Sequence, residues 1–149
     1  VAGFSHFSWL HLIGNAIFLF VFGPAAEKKL PRWVFVLSIL LLAPLTTLLQ
    51  AAVASDSDRV AGASGVIASF IGMSLFLQPK ARVLMVVRMK AFTIPLWLYA
   101  LGWAAMQGLW WSLGMAGVGF LAHLSGFGVG LLIGFAFRSP KVNEKFGAA

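Results

Sequence analysis

Between Trp33 and Ala54 the chain runs for twenty-two residues, WVFVLSILLLAPLTTLLQAAVA, without a charge. A bilayer-spanning helix needs about 20 apolar residues, so this stretch restricts the fold to one in which a helix can lie in lipid. Pro44 does not disqualify it, because neighbouring helices can re-satisfy the backbone groups that a proline frees. Four more apolar segments follow the same plan: about Trp9 to Phe22, Ser64 to Gln78, roughly Phe92 to Leu113, and about Phe120 to Phe137. Gly23, Pro24, Pro31 and Pro79 punctuate the connections. Composition agrees, with 60% hydrophobic and only 10% charged residues, where a soluble domain has about a quarter charged. The expectation is an all-α, polytopic transmembrane helical bundle. It forms one domain, residues 1–149, with spans at about 9–22, 33–54, 64–78, 92–113 and 120–137 and a short polar tail, 138–149. A secretory signal would instead be one brief apolar region ahead of a polar protein.

The net charge of +7 would suggest nucleic acid in a soluble protein. Its placement argues otherwise. Lys28, Lys29 and Arg32 follow the first span, Lys80, Arg82, Arg88 and Lys90 the third, and Arg138, Lys141 and Lys145 the fifth. Ten of the eleven basic residues therefore fall on one side, which the positive-inside rule makes cytoplasmic. The surplus reports topology, and the expected partner is the lipid bilayer, with no nucleic acid. The N-terminus then lies outside; the simplest repair is a further span upstream, six in all, and a five-span protein with its N-terminus outside is the alternative. With no cysteine in the chain, disulfides, thiol chemistry and cysteine-based metal sites are excluded.

Four polar residues, His11, Asn15, Ser64 and His123, lie within the first two turns of spans that enter from the outer side, and so share a depth. His11 and Asn15 are four apart, on one helical face. Polar groups at such depth are costly unless they face protein or water, which makes each a functional hypothesis. Gly126, Gly130 and Gly134 form a small-xxx-small stripe on the fifth span that permits close helix contact. The third span offers Gly65, Ala68, Ser69 and Gly72 in return, with Gly62 just before it. Pressing the two stripes together brings Ser64 and His123 within reach.

A hydroxyl is a poor nucleophile until a base takes its proton, and neutral histidine suits that task near pH 7. No acidic residue occurs in any span, so an enzyme built here is a Ser–His dyad. The developing oxyanion needs donors, for which the Ser64 backbone N–H and the side chains of His11 and Asn15 are the candidates. The plainer readings stand beside these: Ser64 as a small packing residue, and His11, Asn15 and His123 as polar glue between helices. Gly62-Ala63-Ser64-Gly65-Val66 is not the G-x-S-x-G elbow of soluble hydrolases, having valine where that motif has its last glycine. No H-E-x-x-H pattern occurs, and His6 and His11 are five apart. Neither a metal site nor a cofactor is expected.

Taken together, HLIGN (His11 to Asn15), GASG (Gly62 to Gly65) and AHLSGFGVG (Ala122 to Gly130), in that order on alternate spans, resemble the rhomboid intramembrane serine proteases of bacterial type. The resemblance runs over nearly the whole chain, including FGPAAEKKL after the first span and the basic loop from Pro79 to Lys90. It implies a six-helix core with its first helix apparently missing here, Ser64 as nucleophile, His123 as base, and His11 and Asn15 lining the oxyanion site. His6 falls where related bacterial members carry a histidine, and a structural role suits it better. One departure is Ala68, where some members have a tyrosine stacked on the catalytic histidine. Another side chain or closer packing must then orient His123. The expected function is an endopeptidase that cleaves transmembrane protein substrates near the outer membrane face, resident in a bacterial inner membrane. Two rivals stay open. A non-catalytic rhomboid-like protein that guides membrane clients predicts that Ser64 or His123 is missing, and a small channel or transporter subunit predicts intramembrane charges or a broken-helix ion site.

Overall fold

The computed structural model describes residues 9–53, 63–115 and 118–139. His6, Gly62 and the tail beyond residue 139 lie outside the described residues. The element order is α1 (Trp9–Glu27), α2 (Arg32–Ala51), α3 (Ser64–Leu77), β1 (Arg82–Val87), β2 (Lys90–Pro95), α4 (Leu96–Ser112) and α5 (Phe120–Ala136). The chain is mostly helical, a bundle of the kind its apolar segments demand.

The helix boundaries follow backbone hydrogen-bond economy more than proline placement. α1 does not stop at Phe22 but continues through Gly23 and Pro24 to Glu27. In apolar surroundings, ending a helix leaves several carbonyls and amides without partners, whereas one proline costs a single bond. Lys28 and Leu30 donate their N–H groups to Pro24 and Ala26 carbonyls, at 3.2 and 2.9 Å, and close the last turn. α2 likewise carries Pro44 in its interior and starts directly after Pro31. Both α1 and α2 are long and apolar enough to cross a membrane. α3, α4 and α5 are shorter, at 14, 17 and 17 residues. At about 1.5 Å per residue, α3 spans only some two thirds of a ~30 Å hydrocarbon layer.

α3 can be short because protein surrounds it. Eleven of its fourteen residues are buried, and it packs most extensively on α5 and also on α1, α2 and α4. Phe70, Ile71 and Met73 are enclosed almost completely, and the Phe35 ring of α2 stacks on Phe70 with centroids 5.4 Å apart. The outer faces of α1, α2 and α4 are apolar and exposed, as a lipid-facing surface requires.

The segment read as a basic loop and the start of the fourth span is an antiparallel hairpin. Its register runs from Arg82 opposite Pro95 to Val87 opposite Lys90. Residues 92–95, expected at the head of a span, belong to β2, and α4 begins at Leu96. Val83, Val86, Val87, Thr93 and Ile94 supply the β-branched side chains that strands favour. Pro95 sits at the strand end, where its missing N–H costs no ladder bond. The turn residues Arg88 and Met89 both have positive φ, 47° and 64°, the sense a two-residue I′ hairpin turn needs. Arg82 ties the base of the hairpin, its guanidinium donating to Thr93 Oγ1 at 3.0 Å and to the Thr93 carbonyl at 2.8 Å.

Candidate active site

The site is built on the contact between α3 and α5. A Cβ placed on Gly126 would strike the Gly65 carbonyl, one on Gly130 the Ser69 carbonyl, and one on Gly134 the Met73 carbonyl at 2.6 Å. The three pairs share one register, each residue of α5 lying 61 positions after its partner (126 − 65, 130 − 69, 134 − 73). The helices therefore run parallel, backbone on backbone, through three successive turns. This holds the first turn of α3, which starts at Ser64, against the first turns of α5, which carry His123.

α2 clamps the same end of the pair. Thr46 occupies the space beside Gly65, where a Cβ would meet its side chain. One turn further on, Gln50 Oε1 accepts the backbone N–H groups of Leu121 and Ala122, at 2.9 and 3.2 Å. A helix N-terminus leaves its first amides without partners, and Gly119, the cap residue of α5, has no side chain to supply one. Gln50 does so from another helix. The helix that bears His123 thus starts at a fixed place.

Ser64 differs from the other helical hydroxyls. Ser38, Thr46, Thr47, Ser69, Ser74, Ser112 and Ser125 each donate to a carbonyl three or four residues earlier, at 2.6 to 3.3 Å. That bond satisfies a hydroxyl and also idles it. Ser64 is the first residue of α3, with no turn of its own helix behind it. Among the described residues it is the helical serine or threonine without such a bond, and it is only half-buried.

His123 is fixed by α4. Its Nδ1 lies 2.8 Å from Gln107 Oε1, and the Trp103 ring sits beside it, centroids 5.8 Å apart and tilted by 41°. Trp103 also touches Phe127, one turn along α5, at 6.1 Å. Trp103 and Gln107 are four apart and so share a face of α4. Ala68 is wholly buried in α3, and the contacts that orient the imidazole come from α4. Neither Trp103 nor Gln107 was singled out as a site residue from the sequence. The signal was there for Gln107: it extends the inward stripe of Leu96, Ala100 and Ala104, and a glutamine on that stripe of an apolar helix needs a partner.

On α1, Asn15 Nδ2 is buried and has no acceptor. Buried donors left unsatisfied are uncommon and call for an explanation. His11 lies one turn earlier on the same face of α1.

The family profile of the Rhomboid domain matches residues 1–140. The chain belongs to the rhomboid family. No curated protein matches the sequence. Rhomboids are membrane proteins and, in general, intramembrane serine proteases, which act on transmembrane substrates in the bilayer. Within this rhomboid, the parallel α3–α5 pair gathers Ser64, Gly65, His123 and Gly126 at one end of the bundle, with the Gly130–Ser69 contact one turn further along, and α4 supplies a polar partner to the histidine.

Proposed function

We propose that this rhomboid is an active intramembrane serine endopeptidase working through a Ser64–His123 dyad, cleaving transmembrane substrates near the outer face of a bacterial inner membrane. The observation that carries the reading is the hydrogen-bonding pattern. Ser64 keeps a hydroxyl that no helical carbonyl engages, while His123 is held through Nδ1 and retains Nε2 for a second partner.

In the first step the Ser64 Oγ–H gives its proton to His123 Nε2 as Oγ bonds to the scissile carbonyl carbon. The carbonyl oxygen becomes an oxyanion. Its donors are the Ser64 backbone N–H, one of the unpaired amides at the start of α3, the Asn15 amide that has no internal acceptor, and His11. Each donor of this kind is worth about 3 kcal/mol of barrier. The tetrahedral species collapses, the C–N bond breaks, and the leaving nitrogen takes the proton from His123. Water then attacks the acyl-Ser64 ester, His123 accepts its proton, and the new carboxyl product departs as Oγ recovers a hydrogen. A substrate helix must first unwind, because its carbonyls are already hydrogen-bonded. Substrates with helix-weakening residues are therefore favoured.

The test uses purified protein in lipid vesicles with a single-span substrate and a fluorophosphonate probe. Ser64→Ala is expected to abolish labelling and to lower kcat by about 10⁴-fold or more, the scale set by nucleophile removal in serine hydrolases. His123→Ala should do nearly the same, because the two groups act as one unit. Asn15→Ala should lose about 10²-fold in kcat with little change in KM. A folded wild type that neither labels nor cleaves would favour a non-catalytic, client-guiding role.

A further inference from the structure

We infer that Gln107 is the positioning residue of the catalytic base, doing by a neutral amide what a carboxylate does in soluble serine hydrolases. The inference rests on the dyad reading of Ser64 and His123.

A base in this position needs one nitrogen protonated and held, so that the other presents a bare lone pair to the hydroxyl. Gln107 Oε1 can only accept, and at 2.8 Å from Nδ1 it selects the tautomer with hydrogen on Nδ1 and none on Nε2. The glutamine is only 4% exposed, on the inward face of α4, so water does not compete for its oxygen. The Trp103 ring beside the imidazole limits rotation about the side-chain bonds. Together the two residues fix both the plane and the tautomer of His123.

The choice of an amide suits the location. An ionised carboxylate at depth in a bilayer costs about 2.5–3.5 kcal/mol on insertion scales, and no aspartate or glutamate lies in any of the five helices except Glu27, at the far end of α1. An amide gives direction without that penalty. It has one weakness that a carboxylate lacks: turned end for end, its NH₂ would donate to a bare Nδ1 and select the opposite, unproductive tautomer.

The experiment compares wild type, Gln107→Met and Gln107→Glu in vesicles, with kinetics and the ¹⁵N imidazole spectrum of His123 assigned against His123→Ala. Methionine keeps the volume and removes the acceptor. Its expected effect is a fall in kcat of about 10- to 100-fold, by analogy with the cost of losing a partner that orients a metal-bound histidine, with KM within about twofold. The ¹⁵N pattern should move from one dominant Nδ1–H form toward a mixture. Gln107→Glu restores an acceptor and should recover most of the kcat, and this rescue also tests the proposal should the methionine variant fold poorly. An active wild type whose kcat and ¹⁵N pattern are unchanged by methionine overturns the positioning role alone. A folded wild type that neither cleaves nor labels overturns the dyad, and the positioning role with it, whatever the tautomer.

Discussion

α1 and α3 are both strongly apolar, yet one is the outside of this protein and the other its centre. Three of the nineteen residues of α1 are buried, against eleven of the fourteen in α3. On α1, Trp9, Leu10 and Phe20 are about four-fifths exposed. On α3, Gly65, Ser69 and Gly72 lie against the backbone of α5. Apolar character cannot sort the two, because lipid tails are as apolar as leucine and give no hydrophobic drive between helices. Small side chains can. They let backbones approach, and the closest pairing becomes the core.

The comparison breaks most readily at Gly130. A Cβ there meets backbone of Ser69, which cannot rotate out of the way, so Gly130→Val should cost about 3 kcal/mol or more, at the upper end of overpacking effects. The check is the loss of helical circular dichroism on heating in detergent micelles. Gly65→Ala should cost less, about 1–2 kcal/mol, since the obstacle is the Thr46 side chain. Combining it with Thr46→Ala should return part of that loss, a non-additivity of about 0.5–1 kcal/mol. At the other extreme, Gly102 of α4 has nothing within 4 Å of a built Cβ. Gly102→Ala should leave the fold intact or raise its stability by up to about 1 kcal/mol through helix propensity. Phe20→Leu on the exposed face of α1 should change stability by less than about 0.5 kcal/mol. Equal losses at Gly130 and Phe20 would erase the distinction between centre and outside.

Much of the bundle could be read from the sequence because its determinants are local. Charge-free runs give the helices, and the four-residue glycine spacing gives the face of α5 that meets α3. The positions of Ser64 and His123 at the same end follow from the order and direction of the spans. What escaped the sequence depends on partners far along the chain. Gln107 meets His123 sixteen residues later, and Gln50 caps a helix that starts about seventy residues away. A glutamine shows that a partner is needed but not which one. The hairpin escaped for a different reason. Its turn is Arg88–Met89 and lacks the asparagine or glycine that usually marks positive φ, so four basic residues between spans read as loop.

The shared register of α3 and α5 also bears on how a substrate of the proposed protease would get in. Two rods touching main chain to main chain at three levels cannot part or slide by less than a whole turn without losing every contact at once. Under the proposed reading, entry of a polypeptide falls to α1, α2 and α4, while Ser64 and His123 stay as a fixed frame. If α4 is the leaf that swings, the imidazole loses its tether while the door stands open and regains it on closing, so the blade would be sheathed during loading.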